Sequence, residues 1–123
     1  MNEHLIVSSG HFLPTLAWLL IGHALCDYPL QGDFIGKFKS PRVPSPVKET
    51  IWPYLLTAHS LIHAGAVWLI TGSPFAGIEE FVTHWQIDLG KSLGYFGFHT
   101  DQVLHVACKV LWALALWYAI HER

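Results

Sequence analysis

Four apolar stretches of this chain each carry two polar, chemistry-bearing residues one helical turn apart. The pairs are His23 with Asp27, His59 with His63, His84 with Asp88, and Asp101 with His105. Residues four apart share one face of an α-helix. The pattern therefore predicts four helices, each with a polar stripe on an otherwise apolar surface. No stretch alternates with a period of two, and each is too long for a strand.

The predicted helices run over about 12–28, 52–71, 74–93 and 101–120, within a single domain of 1–123. Pro14 and Pro53 fall in first turns, where a missing N–H is harmless. Gly72 suits a helix C′ position, with Ser73 as the next N-cap and Pro74 as its first helical residue. Residues 30–48 differ: they hold Lys37, Lys39, Arg42 and Lys48 with Pro41, Pro44 and Pro46. This is a basic, proline-rich loop, opening with a short interfacial helix.

Charged residues make up 13% of the chain and the mean hydropathy is +0.36; an average soluble domain is about 25% charged. The expectation is an all-α, four-helix, up-down-up-down transmembrane bundle with the lipid bilayer as its first partner. Segments two and four have the roughly 20 apolar residues that a span needs. Segment three, with Glu79, Glu80, His84, Gln86 and Asp88, can span only if the other three cover its polar face. The positive-inside rule places loop 30–48 in the cytoplasm, at a bacterial inner membrane. No cleavable signal peptide is expected, since residues 1–10 lack a basic start. Nucleic acid is excluded as a partner by the net charge of −2 and the lack of a basic stripe. The six Trp read mostly as lipid-facing anchors. Cys26 and Cys108 read as buried free thiols.

Position along each helix adds a second constraint. The pairs fall late in helix one, early in helix two, late in helix three and early in helix four. In an up-down-up-down bundle all four lie toward the end that carries the basic loop. An ionisable group at the membrane centre costs about 2.5–3.5 kcal/mol, so groups of this kind must pair, line a wet cavity or bind a cation. The candidate metal ligands are His23, Asp27, His59, His63, His84, Asp88, Asp101 and His105. Imidazole and carboxylate ligands suit a divalent transition metal such as Zn, Mn, Fe or Ni. Eight candidates exceed the need of one tetrahedral ion, which leaves room for two.

The leading functional expectation is a membrane-embedded, metal-dependent hydrolase acting on a phosphoester or a lipid head group. Asp101 or Asp27 would serve as base and Lys91 would stabilise developing negative charge, with Gln31 and Gln102 lining the site. One alternative is a metal-ion or proton conduit. Another is a non-catalytic accessory or inhibitor whose polar core only fixes helix register, and which binds another membrane protein or a second copy of itself. Lys109, one turn beyond His105, reads as a structural counter-ion. Glu79 and Glu80 read as acids suited to the start of helix three. His4, His11 and His121 read as solvated, and His99 as bordering the site. An adjacent His-Asp dipeptide, a His-Glu-x-x-His motif, a Gly-x-Ser-x-Gly elbow and a P-loop are all missing from the sequence.

At four motifs the chain resembles the small membrane proteins grouped as domain of unknown function 3307, of bacteria and their phages. The motifs are HALCDYPLQ (His23, Asp27, Gln31), HSLIH (His59, His63), HWQIDLGK (His84, Asp88, Lys91) and DQVLH (Asp101, Gln102, His105). They stand in the family's order from Gly22 to about Leu111. The resemblance implies a helical membrane protein and supplies no activity.

Overall fold

The computed structural model describes residues 11–122. Five helices follow one another: α1 (Phe12–Asp27), α2 (Gly32–Phe38), α3 (Trp52–Thr71), α4 (Pro74–Ser92) and α5 (Phe98–His121). Among the described residues there is no strand. The count is five rather than four because the start of the basic loop forms the short α2. Its first residue is Gly32, whose φ of 74° suits a residue without a side chain.

The caps follow from the sequence. The Ser73 hydroxyl accepts from the Ala76 amide at 3.2 Å, so α4 starts on an N-cap serine followed by Pro74. Gly72 ends α3 in the left-handed region, its N–H donating to the Trp68 carbonyl at 2.7 Å. Helix α5 starts at Phe98, three residues before the expected position. The Gly97 carbonyl accepts from the Asp101 amide at 3.0 Å, drawing His99 and Thr100 into the first turn.

The four long helices pack in a closed ring, α1 on α3, α3 on α4, α4 on α5 and α5 on α1. Late residues of α1 and α4 meet early residues of α3 and α5, so neighbours run antiparallel. His23 faces His63 and His105, and His84 faces His59 and His105. Close approach of α3 and α4 depends on Gly77. A Cβ there would lie 3.1 Å from both the Ala64 carbonyl oxygen and the Trp68 Cβ.

Burial is inverted relative to a soluble domain. Twelve polar or charged residues are buried among those described, against six hydrophobic ones. Large apolar side chains including Leu13, Leu25, Leu61, Trp68, Leu69, Phe75 and Leu111 lie exposed on the outside. The buried apolar cluster is small: Leu19, Val67 and Ala113, flanked by Phe12, Leu16, Ile70, Ala76 and Trp112. It fills the bundle on the side away from the His/Asp pairs. Among the described residues, two helices, α3 and α5, are long and apolar enough to cross a membrane. Helix α1 is apolar but has 16 residues, about 24 Å at 1.5 Å per residue.

A buried histidine and carboxylate cluster

All four polar pairs point into the ring and meet at one level. His59, His63, His84, Asp101 and His105 are at most 2% exposed, with His23 and Asp88 slightly more open. Asp27 is partly buried and faces the mouth. Adjacent imidazoles nearly touch: ring centroids are 3.8 Å apart for His63 and His84, 4.3 Å for His84 and His105, and 4.7 Å for His59 and His63.

The carboxylates tie the rings together. Asp27 Oδ1 lies 2.9 Å from His63 Nε2 and 3.3 Å from His59 Nε2, and its Oδ2 lies 3.3 Å from His23 Nε2. Asp88 Oδ1 lies 3.0 Å from His105 Nε2, while its Oδ2 lies 3.4 Å from both His59 Nε2 and His84 Nε2. Asp101 Oδ1 is 3.4 Å from His105 Nε2, and Asp101 Oδ2 accepts from the Gln102 amide at 3.0 Å.

Glu80 belongs to this cluster and not to the start of a helix. It sits beyond the first turn of α4 and is fully buried. Its oxygens accept from Lys109 Nζ at 2.8 and 3.0 Å and from the Trp112 indole N–H at 2.8 Å. The remaining partner is His84 Nδ1, 3.0 Å from Oε2. A carboxylate held by an ammonium group and an indole N–H is an acceptor, so His84 donates through Nδ1. In the neutral ring His84 Nε2 is then a bare lone pair. It faces Asp88 Oδ2, a second acceptor, at 3.4 Å. Only a proton or a metal ion reconciles two facing acceptors. A proton would serve His84 alone, whereas a metal ion there would also lie within reach of the neighbouring His59 and His63 rings, 5.0 and 3.8 Å away between centroids.

Distances agree with this reading. Two ligand atoms each about 2.0–2.1 Å from a tetrahedral zinc ion lie about 3.3–3.4 Å apart. The contacts of His59 with Asp27 (3.3 Å) and Asp88 (3.4 Å), and of His84 with Asp88 (3.4 Å), have that edge length. Two groups of ligand atoms lie mutually within 4.8 Å: Asp27, His59, His63 and His84, and then His84, Asp88 and His105. His23 and Asp101, the other two sequence candidates, flank these groups. Both ring nitrogens of His23, both of His59, Nε2 of His84 and Oδ1 of Asp101 are buried without a hydrogen-bond partner among the described residues.

At the basic-loop end the cluster opens on a cavity of about 90 Å³, lined by Asp27, Gln31, Lys39, Asp88, Lys91, Asp101 and Gln102 with Tyr28 and Phe98. Lys39, just beyond α2, reaches back over it. Its ammonium donates to Asp88 Oδ2 at 2.8 Å and to Gln31 Oε1 at 2.6 Å, while the Gln31 amide donates to the Asp27 carbonyl at 3.1 Å. Lys91 stands at the same mouth, 5.1 Å from the centre of the Phe98 ring.

Sequence reasoning passed over Glu80 and Lys39. The spacing of Glu80, His84 and Asp88 at i, i+4 and i+8 would have found the first. No periodicity points to Lys39, whose position depends on how the loop folds back. Lys109 is the buried partner of Glu80, as a counter-ion would be. The Trp residues divide: Trp18, Trp68 and Trp117 are exposed, while Trp112 bonds Glu80 and Trp85 bonds Thr57. Cys26 is buried, but Cys108 is only partly so. His11, His99 and His121 are exposed; His4 lies outside the described residues.

Fold and cluster together define a class: an all-helical protein, polar inside and apolar outside, whose His and Asp side chains could hold a metal ion. The chain belongs to the family described as Protein of unknown function (DUF3307), whose profile matches residues 15–122. No curated protein and no solved structure matches it.

Proposed function

We propose that this protein is a membrane-embedded, metal-dependent hydrolase with one divalent ion at the His/Asp cluster. The facing acceptors at His84 and Asp88 carry the metal assignment. Charge supports it: four carboxylates (Asp27, Glu80, Asp88, Asp101) are opposed in direct contact by two ammonium groups, Lys39 and Lys109. Two negative charges are left over, which one divalent ion neutralises. With Nδ1 given to Glu80, His84 has one nitrogen to offer, and a ring nitrogen ligates one ion. A single ion therefore fits better than two.

The inverted burial supports the membrane. Polar groups inside and large apolar side chains outside suit a hydrocarbon solvent, in which helices satisfy their own backbone. The expected span of all four long helices and the cytoplasmic placement of the basic loop belong to this proposal.

Hydrolysis follows from what the ligand set leaves over. Asp101 lies outside both ligand groups and lines the mouth, and its Oδ1 makes no hydrogen bond, with His105 Nε2 3.4 Å away. A divalent ion lowers the pKa of bound water toward about 7. Asp101 would be the base that takes a proton from the water attacking the ester, and it would return that proton to the leaving oxygen as the bond to it breaks. The apolar plug of Leu19, Val67 and Ala113 beyond the cluster disfavours a conduit across the bundle.

The test is turnover by detergent-purified, zinc- or manganese-loaded protein on nitrophenyl acetate, nitrophenyl phosphate and bis-nitrophenyl phosphate. Turnover that D101N abolishes with metal still bound is expected. No turnover on any of the three, or full turnover by D101N, would overturn the hydrolase.

A further inference from the structure

We infer that the mouth of the cluster binds the phosphoryl group of the substrate, which narrows the proposed hydrolase to phosphoesters and rests on that reading. The cavity of about 90 Å³ suits a small group such as a tetrahedral oxyanion and is far too small for a whole lipid. Its walls carry two cations and two amides: Lys39, Lys91, Gln31 and Gln102. Neither lysine is a freely waving surface group. Lys39 is fixed by its bonds to Gln31 and Asp88, and Lys91 stands over the Phe98 ring.

Three carboxylates, Asp27, Asp88 and Asp101, share the same walls. Without a metal ion they outnumber the lysines and repel an anion. A divalent ion on Asp27 or Asp88 and the imidazoles beneath reverses the sign of the cavity. Anion binding at the mouth is thus conditional on the metal, and the two are positively coupled. Lys39 also acts against the metal: its ammonium occupies Asp88 Oδ2, the oxygen that faces His59 and His84. An arriving phosphoryl oxygen draws Lys39 away from Asp88 and frees that oxygen for the ion. The chemistry recognised is a phosphate monoester or diester end, borne by a lipid head group or a soluble molecule.

Titration of the zinc-loaded, detergent-purified protein with inorganic phosphate tests this, followed by calorimetry. Phosphate should bind at least tenfold more tightly to zinc-loaded than to metal-free protein. K91A should weaken phosphate about tenfold and leave zinc affinity within twofold. K39A should weaken phosphate while zinc affinity holds or rises. Displacement of bound phosphate by phosphatidate in mixed micelles assigns a lipid source; failure to displace it assigns a soluble one. Zinc uptake with no phosphate binding, or with K91A binding as the parent does, overturns the phosphoryl site and leaves the metal assignment standing. A protein that takes up no zinc overturns both.

Discussion

Removing Glu80 separates its two roles, because it neutralises Lys109 and orients His84 through different bonds. In E80L the Lys109 ammonium, 1% exposed, loses the partner that accepts from it twice. An uncompensated buried charge costs about 3–5 kcal/mol, a large part of a total stability of about 5–15 kcal/mol. The double variant E80L/K109M removes both charges and should recover most of that loss. What it does not restore is the acceptor for His84 Nδ1 and for the partly exposed Trp112 indole N–H. Outer-shell carboxylates of this kind contribute about 10–100-fold to metal affinity, equivalent to about 1.4–2.7 kcal/mol. The assay is paired: denaturant unfolding of metal-free protein in detergent, and zinc titration against a competing chelator. E80L should be strongly destabilised; E80L/K109M should approach parental stability yet bind zinc at least tenfold more weakly. Parental zinc affinity in the double variant would refute the orienting role. Parental stability in E80L would refute the buried pair.

Three further outcomes follow from the geometry. Metal removal should lower thermal stability, since a ligand at a hundred times its Kd stabilises the folded state by about 2.7 kcal/mol; equal melting with zinc and with chelator would contradict this. G77V should force α3 and α4 apart, because even one added carbon meets Ala64 and Trp68 at 3.1 Å; overpacking costs about 1–3 kcal/mol, to be read by denaturant unfolding. Exposed Trp68 should be quenched by brominated lipid in a single-Trp variant, whereas Trp112, bonded to Glu80, should be protected; equal quenching would contradict the orientation of the bundle's faces.

The helices were legible because their polar residues recur every fourth position within apolar runs, a pattern that a strand cannot use. The meeting of His23, His59, His84 and His105 was legible for a second reason. Their positions along successive helices alternate late and early, which antiparallel packing turns into one level. Glu80 was misread because two adjacent acids near Pro74 suggest helix-dipole compensation, and only the neighbouring helix reveals Lys109 and Trp112 opposite. The short helix expected at the start of the basic loop is α2. Lys39 was the least legible, because its bond to Asp88 joins residues 49 apart in sequence. The early start of α5 escaped notice because His99 and Thr100 are polar and exposed.

Elemental analysis joined to X-ray absorption on the protein, purified in detergent without chelator, reaches the centre of the account. One divalent transition metal per chain is expected, with a mixed nitrogen and oxygen shell near 2.0–2.1 Å for zinc and the scattering pattern of several imidazoles. Protein that carries no metal and takes up none from a buffered zinc solution would contradict it, and the cluster would then be an ion-paired core.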